Sequence, residues 1–569
     1  MRYSPLIVLL ACHGADSDTG PTVADPEYAC PGGEGCAGND GALQAGVAVR
    51  SILPQCFESW TDSDGDFTYN PTKDTFLDCG CDRLCSDNVD YPGPDSLEGD
   101  GTFQAAYLAG FGNGRAATGV RGAAQGLAGE GDGLWARAIV LKQGDTSLAL
   151  VSVDMVGWFY DDVLGVRELV KQRGVDVDHV IIDSTHTHQA VDTMGLWGRA
   201  YLRSGYTNEH RLFLQDTIAT AIAEAAEAAV PVTMVLGGVA ASDYDSVKGT
   251  ANVGGDTRDP YVVIDDVGAA QFVDANGDTV GTLVNWACHP ETRADENTLL
   301  SSDFVHALRK TVETGSHWNA RQTPGVGGTA IYLNGAVGGM MTALHLEIDD
   351  PDGGAWRDAS WEKTDAQGIL VGEMALDALA RGETVTDAKL SFQARELHVP
   401  VDNQAFQTMF LAEIFQRQLY DWDDTQNISS TNLPYVRTEV DRVDLGPLQL
   451  MTVPGEVLPE LFIGGYDGSE IHSPGVTIVQ ATNENPPDLT QAPPGPYWKD
   501  AMTGERRWMV GLANDELGYV IPPYNFEVST DLPWFDEAEG DHYEETNSLG
   551  PQMAPLLDVK LRELFDWSR

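Results

Sequence analysis

The chain has 569 residues, 42% of them hydrophobic, which is enough to bury one large core or two. Asp and Glu number 87 against 34 Lys and Arg, and the formal net charge is -53. Such a surface repels polyanions, which excludes nucleic acid as a partner and makes an anionic membrane surface unattractive.

The N-terminus has the pattern of a bacterial lipoprotein signal peptide over residues 1–12. One arginine precedes a short apolar run that ends in LLAC at Cys12. The run is too short to span a bilayer as a mature helix, so we expect cleavage before Cys12 and a lipid on that residue. An ordinary secretory signal with cleavage nearby is the alternative. Both interpretations export the protein, either anchored by lipid to a bacterial membrane or cell surface, or secreted.

Residues 13–102 are predicted to be a polar tether followed by a small, loop-rich segment. This segment contains Cys30, Cys36, Cys56, Cys79, Cys81 and Cys85. In an oxidising compartment these cysteines predict up to three disulfides, although their spacing does not select the pairing. Cys288 stands alone further along the chain, and we expect it to be a buried free thiol.

Asp62, Asp64 and Asp66 alternate along one Gly-containing loop of this segment. Carboxylates at alternate positions of a tight loop converge their oxygens, as calcium requires. The loop is not an EF-hand, because Phe67 and Lys73 stand where glycine and glutamate are needed. A calcium site and a plain solvated acidic loop are both open interpretations.

The large domain, residues 103–569, alternates strand and helix patterns. Strands are predicted at 135–142 and 147–154, with a tight turn between them. A helix at 163–173 and an apolar strand at 179–183 then complete a β-α-β unit with a parallel pair. Further elements are strands at 280–286 and 448–452, and helices at about 210–229, 361–381 and 551–566. We expect an α/β fold with a mixed, largely parallel sheet flanked by helices, preceded by the disulfide-rich segment.

Two histidines directly follow the predicted strand 179–183. His186 and His188 are two residues apart, so their imidazoles point the same way in an extended segment. Neutral imidazole is a good zinc ligand, and open α/β sheets bind ligands just past the carboxyl ends of their strands. Spacing alone supports two interpretations equally: a metal site, or a pair of loop histidines that are hydrogen-bonded to the protein.

Three other side chains follow strands or turns, and each is ambiguous alone. His289 follows the strand at 280–286, where a lone histidine is more often structural than a ligand. Glu456 ends the sequence VPGE, which is also typical of a carboxylate in the first turn of a helix. Tyr519 follows the sequence GLAN, and a core aromatic with a hydrogen-bonded tip has the same pattern.

Short motifs follow one another in order between residues 103 and about 566. They are AGFG at 109–112, ATGV at 117–120, LWARA at 134–138, THTH at 185–188, NWACHP at 285–290, SD at 302–303, NGAVG at 334–338, PGE at 454–456, GLAN at 511–514 and LGP at 549–551. In this order they resemble the neutral/alkaline, non-lysosomal ceramidase family.

The resemblance implies a zinc amidohydrolase acting on N-acyl sphingosine or another lipid-like or small amide. The zinc ligands of that family match His186, His289, Glu456 and Tyr519. His188 matches a histidine that steadies the zinc-bound water or the developing oxyanion, and Asp303 matches an acidic residue that supports the site. Zinc lowers the pKa of bound water and polarises a carbonyl, so water can attack an amide or ester near neutral pH.

Two departures limit what the resemblance implies. Some ceramidases carry GDVSP where this chain has GGMMT at 338–342, so Met341 replaces a serine assigned a catalytic role. A thioether cannot act as a hydroxyl nucleophile or donor. The β-sandwich domain that follows the catalytic domain in ceramidases is not expected here. An esterase on the same scaffold, and a non-catalytic surface protein that binds metal or ligand, are therefore alternatives.

Overall fold

The computed structural model describes residues 27–33, 35–89, 91–123, 131–540 and 542–567. Cys12 and the predicted signal peptide lie outside the described residues, so export and the lipid anchor stay predictions. Within the described ranges, no helix combines the length and the apolar character needed to cross a bilayer.

Two large sheets and their covering helices form the body of the structure. The strands of these sheets are β1 Glu27–Cys30, β2 Gln44–Ser51, β3 Trp135–Gln143, β4 Thr146–Val153, β5 His179–Ser184, β6 Val230–Ala240, β7 Asp266–Asp274, β8 Thr279–Trp286, β9 Thr329–Asn334, β10 Glu383–Val385, β11 Leu390–Pro400, β12 Tyr435–Leu445, β13 Leu448–Thr452 and β14 Arg506–Val510. The helices are α1 Tyr160–Gln172, α2 Asn208–Glu227, α3 Phe304–Thr314, α4 Trp361–Ala380, α5 Gln404–Leu411, α6 Pro459–Ile463, α7 Trp498–Ala501, α8 Tyr543–Thr546 and α9 Met553–Leu564. Short two-stranded pairs join Trp60–Thr61 to Thr75–Phe76, Gly119–Val120 to Leu299–Leu300, Gly315–His317 to Gln322–Pro324, Ile348–Asp349 to Ala355–Trp356, and Glu456–Val457 to Tyr519–Val520.

The larger sheet has the strand order β9-β8-β7-β6-β2-β3-β4-β5, and β10 also pairs with β6. The predicted mixed α/β class, flanking helices and preceding disulfides are confirmed, but the expectation of a largely parallel sheet is wrong. Among the described strands of the larger sheet, only β4–β5 and β8–β9 pair in parallel. The reason is the connections: α1 and α3 make the crossovers of these two pairs, whereas the tight turns of β3–β4 and β7–β8 allow antiparallel pairing only.

The second sheet, in the order β1-β11-β12-β13-β14, packs face to face on the larger one. Their shared core includes Leu150 and Phe272 from the larger sheet, and Leu450 and Trp508 from the second. Helices α1 to α4 cover the other face of the larger sheet, and α9 covers the outer face of the second. Strand β4 has helices on one face and the second sheet on the other. All of its residues are therefore buried, instead of alternating between buried and exposed.

The cysteine-rich segment is stapled by the three disulfides that its cysteines predicted. They join Cys30 to Cys36, Cys56 to Cys81, and Cys79 to Cys85, while Cys288 is a buried free thiol. The segment also supplies β1 to the second sheet, and it places β2 between β3 and β6 in the larger sheet. Its described part is therefore integral to the α/β body.

The larger sheet curves until its two edge strands, β5 and β9, meet. The Ser152 hydroxyl on β4 donates to the carbonyl oxygen of Tyr332 on β9 at 2.6 Å. The Asn334 side-chain amide, at the end of β9, donates to the Thr185 carbonyl just after β5 at 2.9 Å. The loops that follow β5, β8 and β9 consequently face one another.

Candidate metal centre

Four loops that leave the carboxyl ends of strands in both sheets converge on one buried cluster. The loop after β5 carries His186 and His188, and the loop after β8 carries His289. Glu456 follows β13 and Tyr519 follows β14, and the short parallel pairing of their segments sets these two residues side by side. The structure thus brings together five of the predicted site residues from distant parts of the sequence.

The donor atoms of this cluster lie at the spacing expected around one metal ion. One oxygen of Glu456, Oε2, lies 3.0 Å from His289 Nε2 and 3.4 Å from His186 Nε2. Ligands about 2 Å from a tetrahedral zinc ion lie about 3.3 Å from each other. Ring nitrogens of His186, His188 and His289 lie within 4.8 Å of one another. These residues therefore fit a divalent metal in both donor type and separation.

Backbone carbonyls orient two of the imidazoles toward the cluster. The Nδ1 of His186 is hydrogen-bonded to the Val156 carbonyl, and the Nδ1 of His289 to the Met341 carbonyl at 3.0 Å. Since a carbonyl only accepts, each Nδ1 carries a proton, and Nε2 is left facing the Glu456 carboxylate as the nitrogen that could bind a metal. This is the usual support for metal-binding histidines. His186 also has a φ of 67°, a strained backbone conformation that tends to occur at functional sites.

A single buried amide ties the two histidine loops together. Asn334 Nδ2 donates to the carbonyls of Thr185 at 2.9 Å and Cys288 at 3.3 Å. Its Oδ1 accepts from the Cys288 backbone N–H at 3.3 Å. In the sequence, Asn334 stands out only as part of the motif NGAVG. The feature that could have indicated its role is its position, because it is a polar residue at the end of an apolar strand.

Burial and neighbouring charges shift the pKa values of the cluster. Burial lowers the pKa of His186, but the Glu456 carboxylate outweighs it and the pKa is raised. Burial opposes ionisation of Glu456, yet His186 and His289 hold its pKa far below the usual range. Burial and the two other histidines lower the pKa of His188, which keeps its ring neutral. Burial and Glu456 raise the pKa of Tyr519. The site therefore favours a cation beside Glu456.

Several buried polar atoms around the cluster lack a hydrogen bond to any described residue. They are both ring nitrogens of His188, both carboxylate oxygens of Glu291, and Oε2 of Glu516. Buried polar atoms nearly always have partners, so these unpartnered atoms point to a bound ion or solvent. Donor atoms of His186, Glu456 and Glu516 also lie within 4.8 Å of one another. Sequence reasoning missed Glu291 and Glu516, because an isolated glutamate in a loop has no distinctive spacing.

The two methionines at 340 and 341 contact the site in different ways. The Met341 carbonyl accepts from both the backbone N–H of His289, at 2.7 Å, and its Nδ1. The Met341 side chain is fully buried in an apolar cluster with Val337 and Leu512. The Met340 thioether accepts from the Tyr519 hydroxyl at 3.0 Å. Position 341 therefore holds His289 through its main chain and packs the core with its side chain.

Asp303 lies at the N-terminus of α3, where its carboxylate accepts from the Phe304 backbone N–H at 2.7 Å. The Thr292 hydroxyl lies 2.9 Å and 3.0 Å from the two Asp303 carboxylate oxygens. Burial raises the pKa of Asp303 to about 6. These contacts anchor the loop that follows His289 to α3.

The carboxylates of Asp62, Asp64 and Asp66 converge within 4.8 Å of one another, far along the chain from the histidines. The Lys73 ammonium contacts Asp64 and lies 3.7 Å from Asp66. Asp62 accepts backbone N–H bonds within its own loop. Lys73 therefore already supplies positive charge at the loop for which a calcium site and a plain acidic loop were both open.

Aromatic residues lie on two sides of the cluster. The Phe111 ring meets the His188 ring edge-on, with 5.2 Å between centroids, and Phe111 is 38% exposed. Gly110 permits this approach, because a Cβ there would lie 2.4 Å from His188 Nδ1. On another side, the Tyr543 ring lies 6.1 Å from that of Tyr519 and is 44% exposed. Burial raises the pKa of the Tyr543 hydroxyl, and the negative charges of Glu456 and Glu291 raise it further.

Solved ceramidase structures share this fold. A neutral ceramidase from Pseudomonas aeruginosa matches with a TM-score of 0.54 and 14% sequence identity, over 92% of this chain and 74% of that chain. A ceramidase complexed with C2 matches with a TM-score of 0.54 and 13% identity, over the same shares. No family model and no curated protein sequence matches the chain. The predicted likeness to neutral ceramidases is confirmed for the fold.

Proposed function

We propose that the protein is a zinc-dependent amidohydrolase that cleaves an amide bond in a lipid-like substrate. The observation that carries the proposal is the convergence of His186, His289 and Glu456 at the strand ends of a ceramidase-like fold. Each of the two imidazoles presents Nε2 to the centre, and both face one carboxylate oxygen. Two neutral imidazoles and a carboxylate are a donor set typical of catalytic zinc.

These three side chains would hold the ion, with Tyr519 beside Glu456 as the fourth candidate ligand. Bound zinc would supply a polarised substrate carbonyl and a nucleophilic water near neutral pH. His188 is neutral and the least buried of the three histidines, so it is placed to hydrogen-bond the substrate carbonyl or its developing charge. Asn334 keeps the two histidine loops at a constant separation.

The surroundings of the cluster support an amphiphilic substrate. Phe111 and Tyr543 expose aromatic surface on two sides of the polar donors. An acyl chain would contact these rings while its amide reaches His188. Met341 has no hydroxyl to contribute, so the proposed hydrolysis depends on the metal centre and on His188.

Metal analysis tests the ligand assignment. We expect about one zinc ion in this four-ligand site of the wild type and of His317→Ala, an exposed-histidine control, and strong loss in His186→Ala and His289→Ala. Equal zinc in all four proteins would refute the assignment.

Turnover tests the activity. We expect chelator-sensitive release of fatty acid from N-acyl sphingosine or another long-chain amide. Chelator-sensitive cleavage of esters alone would identify an esterase on the same scaffold. Zinc binding without turnover of any amide or ester would identify a surface binding protein.

We further propose that the mature protein is exported and anchored through a lipid on Cys12. The N-terminal sequence pattern supports this, and the three disulfides fit an oxidising compartment. Fractionation of cells tests it: wild type should sediment with membranes, and Cys12→Ala should be released to the soluble fraction or remain uncleaved. Equal membrane association of a processed Cys12→Ala protein would contradict the anchor.

A further inference from the structure

A pair of side chains beside the candidate zinc site, one partly buried and one fully buried, is not used by its four-ligand set. His188 Nδ1 and Glu291 Oε2 lie 3.4 Å apart, within ion-pair range but without the geometry of a hydrogen bond. The Glu291 side chain is 1% exposed, and neither of its oxygens makes a hydrogen bond of good geometry with a described residue, although the Thr342 side chain lies close enough to lower the pKa of the carboxyl. The pair therefore consists of two metal-binding groups that face each other, with the Thr342 side chain also close to the carboxylate.

The cluster contains enough carboxyl groups to bind more than one divalent ion. Glu291, Glu456 and Glu516 are all buried around three imidazoles. An ion on His186, His289 and Glu456 offsets Glu456, but it gives Glu291 no direct partner. Buried carboxylates are normally paired with a cation or coordinated to a metal.

We propose that His188 and Glu291 hold a second divalent cation next to the proposed zinc ion, which makes the site a two-metal centre. The inference rests on the proposed function, because the first ion is the zinc proposed above. Ring nitrogens of His188, His186 and His289 lie within 4.8 Å of one another, so the two ions would be neighbours. In hydrolases with two metals, ions about 3.5–4 Å apart share the attacking and carbonyl oxygens between them.

The backbone holds this pair in position. The His188 backbone N–H donates to the Pro290 carbonyl at 3.0 Å, so the two loops are joined one residue away from Glu291. Gly110 leaves open the space next to His188 Nδ1, which a Cβ would fill. The separation of the pair is therefore set by main-chain contacts.

Metal titration of the metal-free protein with zinc, followed by elemental analysis after dialysis, tests the proposal. We expect two zinc ions in wild type and one in Glu291→Gln, whose second binding step weakens at least tenfold while its first step is unchanged. Glu460→Gln is the matched control, because Glu460 is equally buried and also has an unpartnered oxygen, but lies outside the metal cluster. It should bind two ions.

Substitution with cobalt gives a second measurement. Two neighbouring cobalt ions couple magnetically, so the spin-resonance signal per ion should fall after the second equivalent in wild type but not in Glu291→Gln. Metal-free Glu291→Gln should melt at or above the wild-type temperature, since it replaces a buried acid with a neutral amide of the same size; a lower melting temperature with two ions retained would overturn the proposal.

The results distinguish failure of this inference from failure of the proposed function. A wild type that saturates at one ion, or a Glu291→Gln variant that keeps two, overturns the second site alone. A wild type that binds no ion, or binds one ion that His289→Ala does not remove, overturns the zinc assignment and the second site together.

Discussion

Replacing Asn334 with alanine tests the idea that one amide positions the proposed metal ligands. Asn334 is fully buried, and its side chain bonds the Thr185 carbonyl and both the N–H and carbonyl of Cys288. Asn334→Ala leaves at least two of these backbone groups without a hydrogen-bond partner. At about 1–3 kcal/mol for each of two unsatisfied buried groups, we expect the metal-free protein to lose about 2–6 kcal/mol of unfolding free energy.

Binding of the proposed zinc ion should also weaken, because the loops that carry His186 and His289 are no longer joined by the Asn334 amide. We expect zinc affinity to fall about 10–100-fold, as is typical when residues that support metal ligands are removed. Denaturant unfolding of the metal-free protein and a competition titration with a chromogenic chelator measure the two effects separately.

Asn252→Ala is the matched control for this experiment. Asn252 is buried and exchanges two hydrogen bonds with the backbone of Asp349, outside the metal cluster. It should lose stability while zinc affinity stays within threefold of wild type. If Asn334→Ala also keeps wild-type zinc affinity despite its lost stability, the positioning role is refuted.

Four further predictions concern other parts of the molecule. Met341→Ser should keep zinc affinity, because the carbonyl at 341 holds His289, but should cost about 2–5 kcal/mol by leaving a cavity; a large loss of zinc would count against that reasoning. Because burial raises the pKa of Asp303 from 3.8 to about 6, the unfolded chain ionises first and this group lowers stability as pH rises from about 4 to about 6. Relative to Asp303→Asn, wild type should therefore lose about 2 kcal/mol of unfolding free energy between pH 4 and pH 7 in urea unfolding, and a pH-independent difference would contradict the shift. Replacing Cys56 and Cys81 together with serine opens a bridge across 25 residues and should cost about 3 kcal/mol, while an unchanged melting temperature would indicate that the bridge is absent in solution. For the acidic loop, the calcium hypothesis predicts that millimolar calcium raises the melting temperature of wild type but not of Asp64→Asn, and superimposable curves would leave a plain acidic loop.

Local pattern predicted the elements that form around the first histidine pair. The hairpin of β3 and β4, helix α1 and strand β5 all occur where the hydrophobic periodicity placed them. Their parallel β4–β5 pair also follows from sequence, because a helix between two strands makes the crossover. The position of His186 just past β5 needed no further information.

The order of the strands in the larger sheet could not be predicted from the local sequence pattern. Strands buried on both faces read as continuous apolar runs whether their neighbours are parallel or antiparallel. Placement of β2, from the cysteine-rich segment, between β3 and β6 depends on contacts across more than eighty residues. The expectation of a largely parallel sheet came from the one β-α-β unit that was predicted correctly. It is wrong for the rest of the sheet because hairpins connect β3 to β4 and β7 to β8.

The sequence by itself determined which reactive side chains this protein has. His186 and His188 follow one strand, His289 follows another, and Glu456 and Tyr519 come later in the chain. Tertiary structure decided which of these meet. The larger sheet curves until β5 and β9 touch, and the second sheet then delivers Glu456 and Tyr519 to the same end. Tertiary structure alone also revealed Glu291 and Glu516, because a loop glutamate becomes informative only when burial removes its water and leaves it facing histidines or another carboxylate.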